Sequence, residues 1–141
     1  MSSDSSPEAP TAPNPDQLRV IVVGGGVAAL ETALALADLA LDLTDVTVIA
    51  PNAELVYRPM VVREPFAYAG AQRYPLAEMV EDAGATLLVG ELAWIDRSAR
   101  TIHTKAGESI EYDALVLALG AKITERYPHA LTINDRVVEM H

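Results

Sequence analysis

The stretch LRVIVVGGGVAALE, Leu18 to Glu31, sets the fold. Leu18 to Val23 is a short β-branched apolar run with the pattern of a buried strand, and it passes directly into Gly24, Gly25 and Gly26 and then into an Ala-Leu-rich helix. Gly24, Gly26 and Ala29 have the spacing G-x-G-x-x-A, the strand–turn–helix fingerprint of dinucleotide binding, whose third position is Gly or Ala. Each position has a physical reason. Gly24 permits the tight turn out of the strand, Gly26 lets backbone approach a pyrophosphate with no Cβ in the way, and Ala29 keeps the helix close to the sheet, as does Ala33 one turn on. Gly24, Gly25, Gly26, Val27, Ala28 and Ala29 therefore form the expected phosphate cradle. The helix N-terminus supplies unpaired N–H groups and the positive end of the helix dipole, so no basic side chain is needed there, and none occurs between Val20 and Glu31. The alternative is a purely structural glycine turn. The strand before it and the helix after it favour a nucleotide site.

The chain has 141 residues, about one domain, and half of them are apolar, enough to bury a core. Twenty acidic against ten basic residues give a formal charge of −10, which argues against nucleic-acid binding and against an electrostatic hold on anionic lipid. Without cysteine the chain has no disulfide, no thiolate zinc site and no redox dithiol. No apolar run reaches the length of a membrane span, because Glu31, Asp38 and Asp42 interrupt the longest one. Peripheral membrane contact is left open. Met1 to Gln17 has neither the basic region nor the apolar core of a signal peptide, so a cytoplasmic protein is expected. Its Ser, Pro, Ala and acidic residues cannot bury enough surface to offset ordering, and residues 1–17 are expected to be a disordered tail ahead of a domain over 18–141.

After the glycine turn, Val27 to about Asp42 predicts a helix buried on more than one side. Glu31 on its second turn reads as an acid placed favourably near a helix N-terminus rather than as a catalyst. Thr44-Asp45 is polar punctuation before a second buried strand, Val46 to Ala50, which completes a unit of βαβ size. A dinucleotide site commonly carries an acid at the end of that strand to bind the adenosine ribose. Ala50 holds the place here, Asn52 offers a hydrogen bond nearby, and Glu54 lies four residues too late to be taken as equivalent.

Pro51 to Pro75 is long and irregular, with four of the nine prolines and four of the seven aromatic residues, as expected of a functional loop or lid. Tyr57, Arg58, Pro59 and Met60 are its candidate ligand-lining residues, and Arg58 either faces the ligand or pairs with Glu54 or Glu64. Leu76 to Ala83 predicts a short helix ended by Gly84. Thr86 to Val89 is a third strand. Leu92 to Asp96, Thr101 to Thr104 and Ser109 to Tyr112, separated by turns at Arg97-Ser98 and Ala106-Gly107, predict an antiparallel meander. His103 has no second ligand at metal spacing and is read as a partly exposed strand residue, Trp94 as core, and no metal site is expected. Ala114 to Leu119 predicts a buried strand ending on Gly120-Ala121, where small residues allow close backbone approach.

Three motifs in one order now admit a comparison: VIVVGGGVAALETA at the start, VYRPMVVREPF after the second strand, and YDALVLALGA near the end. Together they resemble the N-terminal part of the pyridine nucleotide-disulfide oxidoreductase superfamily, and within it the FAD-dependent NAD(P)H dehydrogenases and sulfide:quinone oxidoreductase-like members. Leu119 stands where threonine is common in that family. The resemblance covers about Leu18 to Tyr127. It implies an α/β, Rossmann-like FAD/NAD(P)-binding fold with a parallel sheet, helices and a small antiparallel β-meander. It also implies extended FAD, with its pyrophosphate over Gly24 to Ala29, its adenosine near Ala50, Pro51 and Asn52, and the rest of the cofactor toward Arg58, Pro59, Gly120 and Ala121. Such enzymes take a hydride from NAD(P)H and pass electrons to an acceptor such as a quinone.

The family's NAD(P)H-binding domain and a later Gly-Asp motif would follow Gly120, so the domain is expected to be incomplete at its C-terminus. It is then a fragment, or a product completed by a homo-oligomer or partner chain. The missing dithiol excludes a disulfide reductase with cysteines just after the second strand, but neither a quinone reductase nor a sulfide-oxidising relative. A non-catalytic or truncated dinucleotide-binding module is the alternative, since no acid, base or nucleophile constellation is visible and no catalytic residue is assigned. A short-chain dehydrogenase is disfavoured because no Tyr-x-x-x-Lys occurs.

Overall fold

A computed structural model of the chain describes residues 16–40, 42–56 and 73–121. The expected tail up to residue 15 and the ligand-lining candidates Tyr57, Arg58, Pro59 and Met60 lie outside the described residues. Strand β1 (Leu18–Val23) leads into helix α1 (Val27–Ala40) and strand β2 (Thr44–Ala50). Strands β3 (Glu54–Val56) and β4 (Arg73–Pro75) precede helix α2 (Leu76–Asp82) and strand β5 (Thr86–Val89). Strands β6 (Leu92–Asp96), β7 (Thr101–Thr104) and β8 (Ser109–Glu111) are followed by β9 (Ala114–Leu117).

Four strands form a parallel sheet in the order β5-β2-β1-β9. The alternation along β1 divides the core into two layers. Val20 and Val22 face the helical side with Val46, Val48, Ala29, Leu30, Ala33 and Val80, whereas Ile21 and Val23 face the meander with Ile49, Ile102 and Tyr112. Burial on both faces is what a central parallel strand requires, and each fully buried Val or Ile contributes about 1.5–3 kcal/mol of transfer free energy.

The meander β6-β7-β8 is the antiparallel layer expected, and it carries the crossover from β5 back to β9 on the far side of β1. Asp96 shapes its first turn by accepting the amides of Ser98 and Ala99, both at 2.9 Å, and Gly107 (φ 90°) makes the second. Helix α2 ends in a Schellman arrangement: the Gly84 amide donates to the Glu81 carbonyl at 2.8 Å, the Ala85 amide to Val80 at 3.0 Å, and Gly84 takes φ 67°.

Five details depart from the sequence reading. Strand β2 starts at Thr44 rather than Val46, because Leu18 and Arg19 pair with Thr44 and Asp45. Helix α1 buries one side only. Ala29, Leu30 and Ala33 meet the sheet, while Leu39 is 80% exposed and Leu34 is exposed as well, since no described element covers the outer face. The stretch from Pro51 to Pro75 is not irregular at its ends, where β3 and β4 pair antiparallel. Strand β9 ends at Leu117 and is half-exposed, because it forms the edge of the described sheet. Trp94 is 54% exposed rather than core, and it stacks on His103 with ring centroids 3.8 Å apart. Among the described residues no helix is long and apolar enough to cross a membrane.

Candidate functional site

The strand order reverses direction at β1. The chain moves outward through β2 to β5 and returns to β9 on the opposite side, and ligands of open parallel sheets bind outside the carboxyl ends of the strands at such a switch point. The loops leaving β1, β2, β5 and β9 all emerge at that edge. Backbone hydrogen bonds fix them just beyond the strands: Gly24 N–H to the Ile49 carbonyl, Ala118 N–H to Val23 and Gly90 N–H to Ala50, each at 2.8 Å.

The three glycines of the turn serve different ends. Gly24 has φ 147°, and a Cβ added there would lie 2.2 Å from the Ala118 carbonyl oxygen, so this glycine lets the turn lie directly on the end of β9. At Gly25 an added Cβ would come to 3.0 Å from the Cβ of Ala50, a tight fit over the end of β2. At Gly26 it would meet nothing within 4 Å. The Gly26 carbonyl accepts the amides of Ala29 and Leu30 at 3.1 and 3.2 Å and so opens α1. The N–H groups of the first turn ahead of those two have no carbonyl one turn back to bind. Backbone donors, a helix N-terminus and open space coincide at Gly26, the combination that suits an anionic phosphate.

A cavity of about 410 Å³ lies against this turn. Gly25, Gly26 and Val27 form one wall, Pro51, Asn52, Glu54 and Val56 a second, and Ala118, Leu119, Gly120 and Ala121 a third. A smaller hollow of about 250 Å³ lies beside it, lined by Val23, Gly24, Gly25, Ile49, Pro51, Gly90, Glu91, Leu92 and Leu119. Seven of the site residues expected from sequence thus border one space: Gly25, Gly26, Val27, Pro51, Asn52, Gly120 and Ala121. Gly24 borders the smaller hollow, Ala28 is exposed on α1, and Ala29 and Ala50 are buried beneath the turn. Arg58 and Pro59 fall outside the described residues.

The sequence reading missed Val56, Ala118, Leu119, Gly90, Glu91 and Leu92 as lining residues, and it weighed Glu54 only as a late acid. Gly120 marked the β9 loop, but nothing local distinguishes the apolar residues before it. Glu54 is the only ionisable side chain among the described residues of the larger cavity, and its Oε2 accepts a hydrogen bond from Arg73 Nη1 at 3.2 Å. Glu91 pairs with Lys105 at the rim of the smaller hollow. His103, off the cavity, shares a 3.0 Å hydrogen bond with Ser109 Oγ.

Residues 17–136 match the family described as pyridine nucleotide-disulphide oxidoreductase. The chain is 32% identical over 113 residues to an NADH dehydrogenase-like protein of Mycobacterium tuberculosis, covering 76% of this chain and 28% of that one. It is 33% identical over 111 residues to a type II NADH:quinone oxidoreductase of Staphylococcus epidermidis, covering 74% and 27%. Among solved structures, the sulfide:quinone oxidoreductase of Aquifex aeolicus superposes with a TM-score of 0.71 at 29% identity, over 76% of this chain and 25% of that one. A water-forming NADH oxidase from Lactobacillus brevis superposes with a TM-score of 0.63 at 22% identity, over 79% and 27%, a likeness of fold. The α/β, Rossmann-like architecture is shared with these oxidoreductases. The chain spans about a quarter of the length of the relatives it matches.

Proposed function

Because this chain belongs to the pyridine nucleotide-disulphide oxidoreductase family, we propose that it is the FAD-binding portion of a flavoprotein oxidoreductase that passes electrons from NAD(P)H to an acceptor such as a quinone. The observation that carries the reading is the open backbone at Gly26, facing a cavity of about 410 Å³ at the switch point of a parallel sheet. Three features support a pyrophosphate at this turn. The space that a side chain at position 26 would occupy is empty, donors of the first helical turn adjoin it, and neither α1's first turn nor the glycines carry an acid that would repel phosphate. FAD, when bound, supplies hydride acceptance and electron transfer, and this chain's contribution is to hold and orient it. In this reading Gly24 to Ala29 carry the pyrophosphate, Pro51 and Asn52 lie at the adenosine, and Gly120 and Ala121, with Arg58 and Pro59, lie toward the rest of the cofactor. Residues 18–141 then form part of a dinucleotide-binding domain, completed by further sequence, a second copy or a partner.

The test is the visible absorption spectrum of the protein after incubation with excess FAD and desalting. The expected result is a retained flavin band. A folded but colourless protein would overturn the proposal that these residues hold FAD on their own. Ala50 in the ribose position and a cavity with Glu54 as its one described ionisable residue favour a second reading, dinucleotide binding without catalysis. Bleaching of the retained band by NAD(P)H supports the oxidoreductase. A band that persists under excess NAD(P)H is what the second reading predicts, and also what an FAD-binding portion predicts until the rest of its enzyme is supplied.

A further inference from the structure

Dinucleotide-binding folds commonly carry an acid at the end of the second strand, where it accepts hydrogen bonds from the adenosine ribose. Ala50 holds that position here, fully buried, with its Cβ 3.0 Å from where a Cβ on Gly25 would lie. The methyl side chain of Ala50 offers no hydrogen-bond acceptor. A bound ribose must find its acceptor elsewhere, because a diol held against protein without one weakens binding.

Four residues further on, the chain supplies a carboxylate on the wall of the same cavity. Glu54 shares that wall with Asn52 and faces a space that the glycine turn also borders. Its backbone is held on both sides. Glu54 pairs with Pro75 in the β3–β4 ladder, the next residue, Leu55, is buried in the core, and the carbonyl of Ala53 accepts the Leu76 amide at 2.8 Å. Its half-exposed carboxylate accepts a 3.2 Å bond at Oε2 from Nη1 of the equally exposed Arg73. A carboxylate accepts about four hydrogen bonds, so the bond to Arg73 leaves capacity for a diol.

Building on the dinucleotide reading above, we propose that Glu54 fills the ribose-binding role that position 50 cannot, its carboxylate accepting hydrogen bonds from the adenosine ribose hydroxyls, with Arg73 as the residue that positions it. The site therefore selects adenine nucleotides with an intact ribose diol over their 2′-deoxy counterparts. The hydroxyl interaction is made to a charged acceptor, and hydrogen bonds of that kind alter affinity by about 10-fold or more.

Calorimetric titration of the full chain with ADP and with 2′-deoxy-ADP tests this. The wild-type chain is expected to bind ADP about 10-fold more tightly than 2′-deoxy-ADP, and Glu54→Leu, which keeps bulk but removes the acceptor, to bind the two within about 3-fold. Arg73→Lys is expected to keep the preference and Arg73→Leu to reduce it, with 2′-deoxy-ADP affinity unchanged in both. A Glu54→Leu chain that retains the full preference overturns the inference and leaves the dinucleotide reading standing. Equal losses for both nucleotides also overturn it, reducing Glu54 to a support of the hairpin. Failure of the wild-type chain to bind either nucleotide removes the dinucleotide reading itself, and this inference with it.

Discussion

Strands β1 and β9 lie side by side from Val20 opposite Ala114 to Val23 opposite Leu117, yet their two ends are finished in opposite ways. At the N-terminal end, side chains do the joining. The amide and Nε of Arg19 donate to Asp113 Oδ2 at 2.9 and 3.1 Å, its Nη2 to Oδ1 at 3.3 Å, and its Nη1 to Glu111 Oε2 at 2.7 Å. At the C-terminal end a side chain is what must be absent, since an added Cβ at Gly24 would lie 2.2 Å from the Ala118 carbonyl oxygen. The contrast shows how one strand pair can serve both stability and binding. Charge-assisted hydrogen bonds secure the end away from the cavity, and bare backbone meets bare backbone where a ligand needs room.

The largest expected effect breaks the bare end. Gly24→Ala places a Cβ against the Ala118 carbonyl at a φ of 147° and is expected to cost roughly 2–4 kcal/mol, read as a lower urea midpoint. A midpoint equal to wild type would mean that β9 does not close on the turn as described. Gly26→Val separates binding from folding. Its new side chain meets no protein atom within 4 Å, so stability is expected to change by no more than about 1 kcal/mol while FAD retention after desalting is lost. Retention by this variant would remove the phosphate from the turn.

The difference between these two glycines was only partly legible in the sequence. The strand, the glycine run and the helix announce the turn because each has its own local pattern, and the same holds for the meander with its two turn signals. That Gly24 answers to β9 is not local, for Ala118 is 94 residues away. An Ala-Leu helix likewise reads the same whether its second side meets protein or solvent, and α1 proves covered on one side. On its chemistry alone Trp94 reads as a core residue. It lies on β6, at the edge of its sheet and beside a register shift between Leu92 and Trp94, which alters the face a side chain takes. Strands β3 and β4 are three residues each and far apart in sequence, too short for periodicity to show, so the placement of Glu54 on the cavity wall became visible only with the fold.

A smaller effect tests the charged end. The Arg19 guanidinium, by hydrogen bonding, holds the Asp113 carboxyl below its ordinary value of 3.8. A carboxyl whose folded value lies below its unfolded one contributes stability that is fully present above the unfolded value and is lost as pH falls through the folded value. Asp113→Asn is therefore expected to lower the denaturation midpoint at neutral pH, with the gap from wild type closing as the pH is taken below 3.8 toward the depressed value. FAD retention should be unchanged. A gap that persists undiminished in acid would mean that the loss does not come from the charge of the Asp113 carboxylate.

The smallest effect sharpens the contrast by asking whether charge also secures the cavity end. Lys105 and Glu91 form an ion pair there, beside the smaller hollow, but both side chains are more than half exposed. The pair joins the loop after β5 to the turn between β7 and β8, which the backbone already links through the Lys105 amide and the Glu91 carbonyl at 2.8 Å. Exposed pairs are screened by water and salt, so Lys105→Ala is expected to shift stability by less than about 0.5 kcal/mol, and by less still at high ionic strength. A salt-sensitive loss as large as that of Asp113→Asn would show that both ends of the sheet rely on ion pairs. It would also remove the distinction between an end closed by side chains and an end left open as backbone.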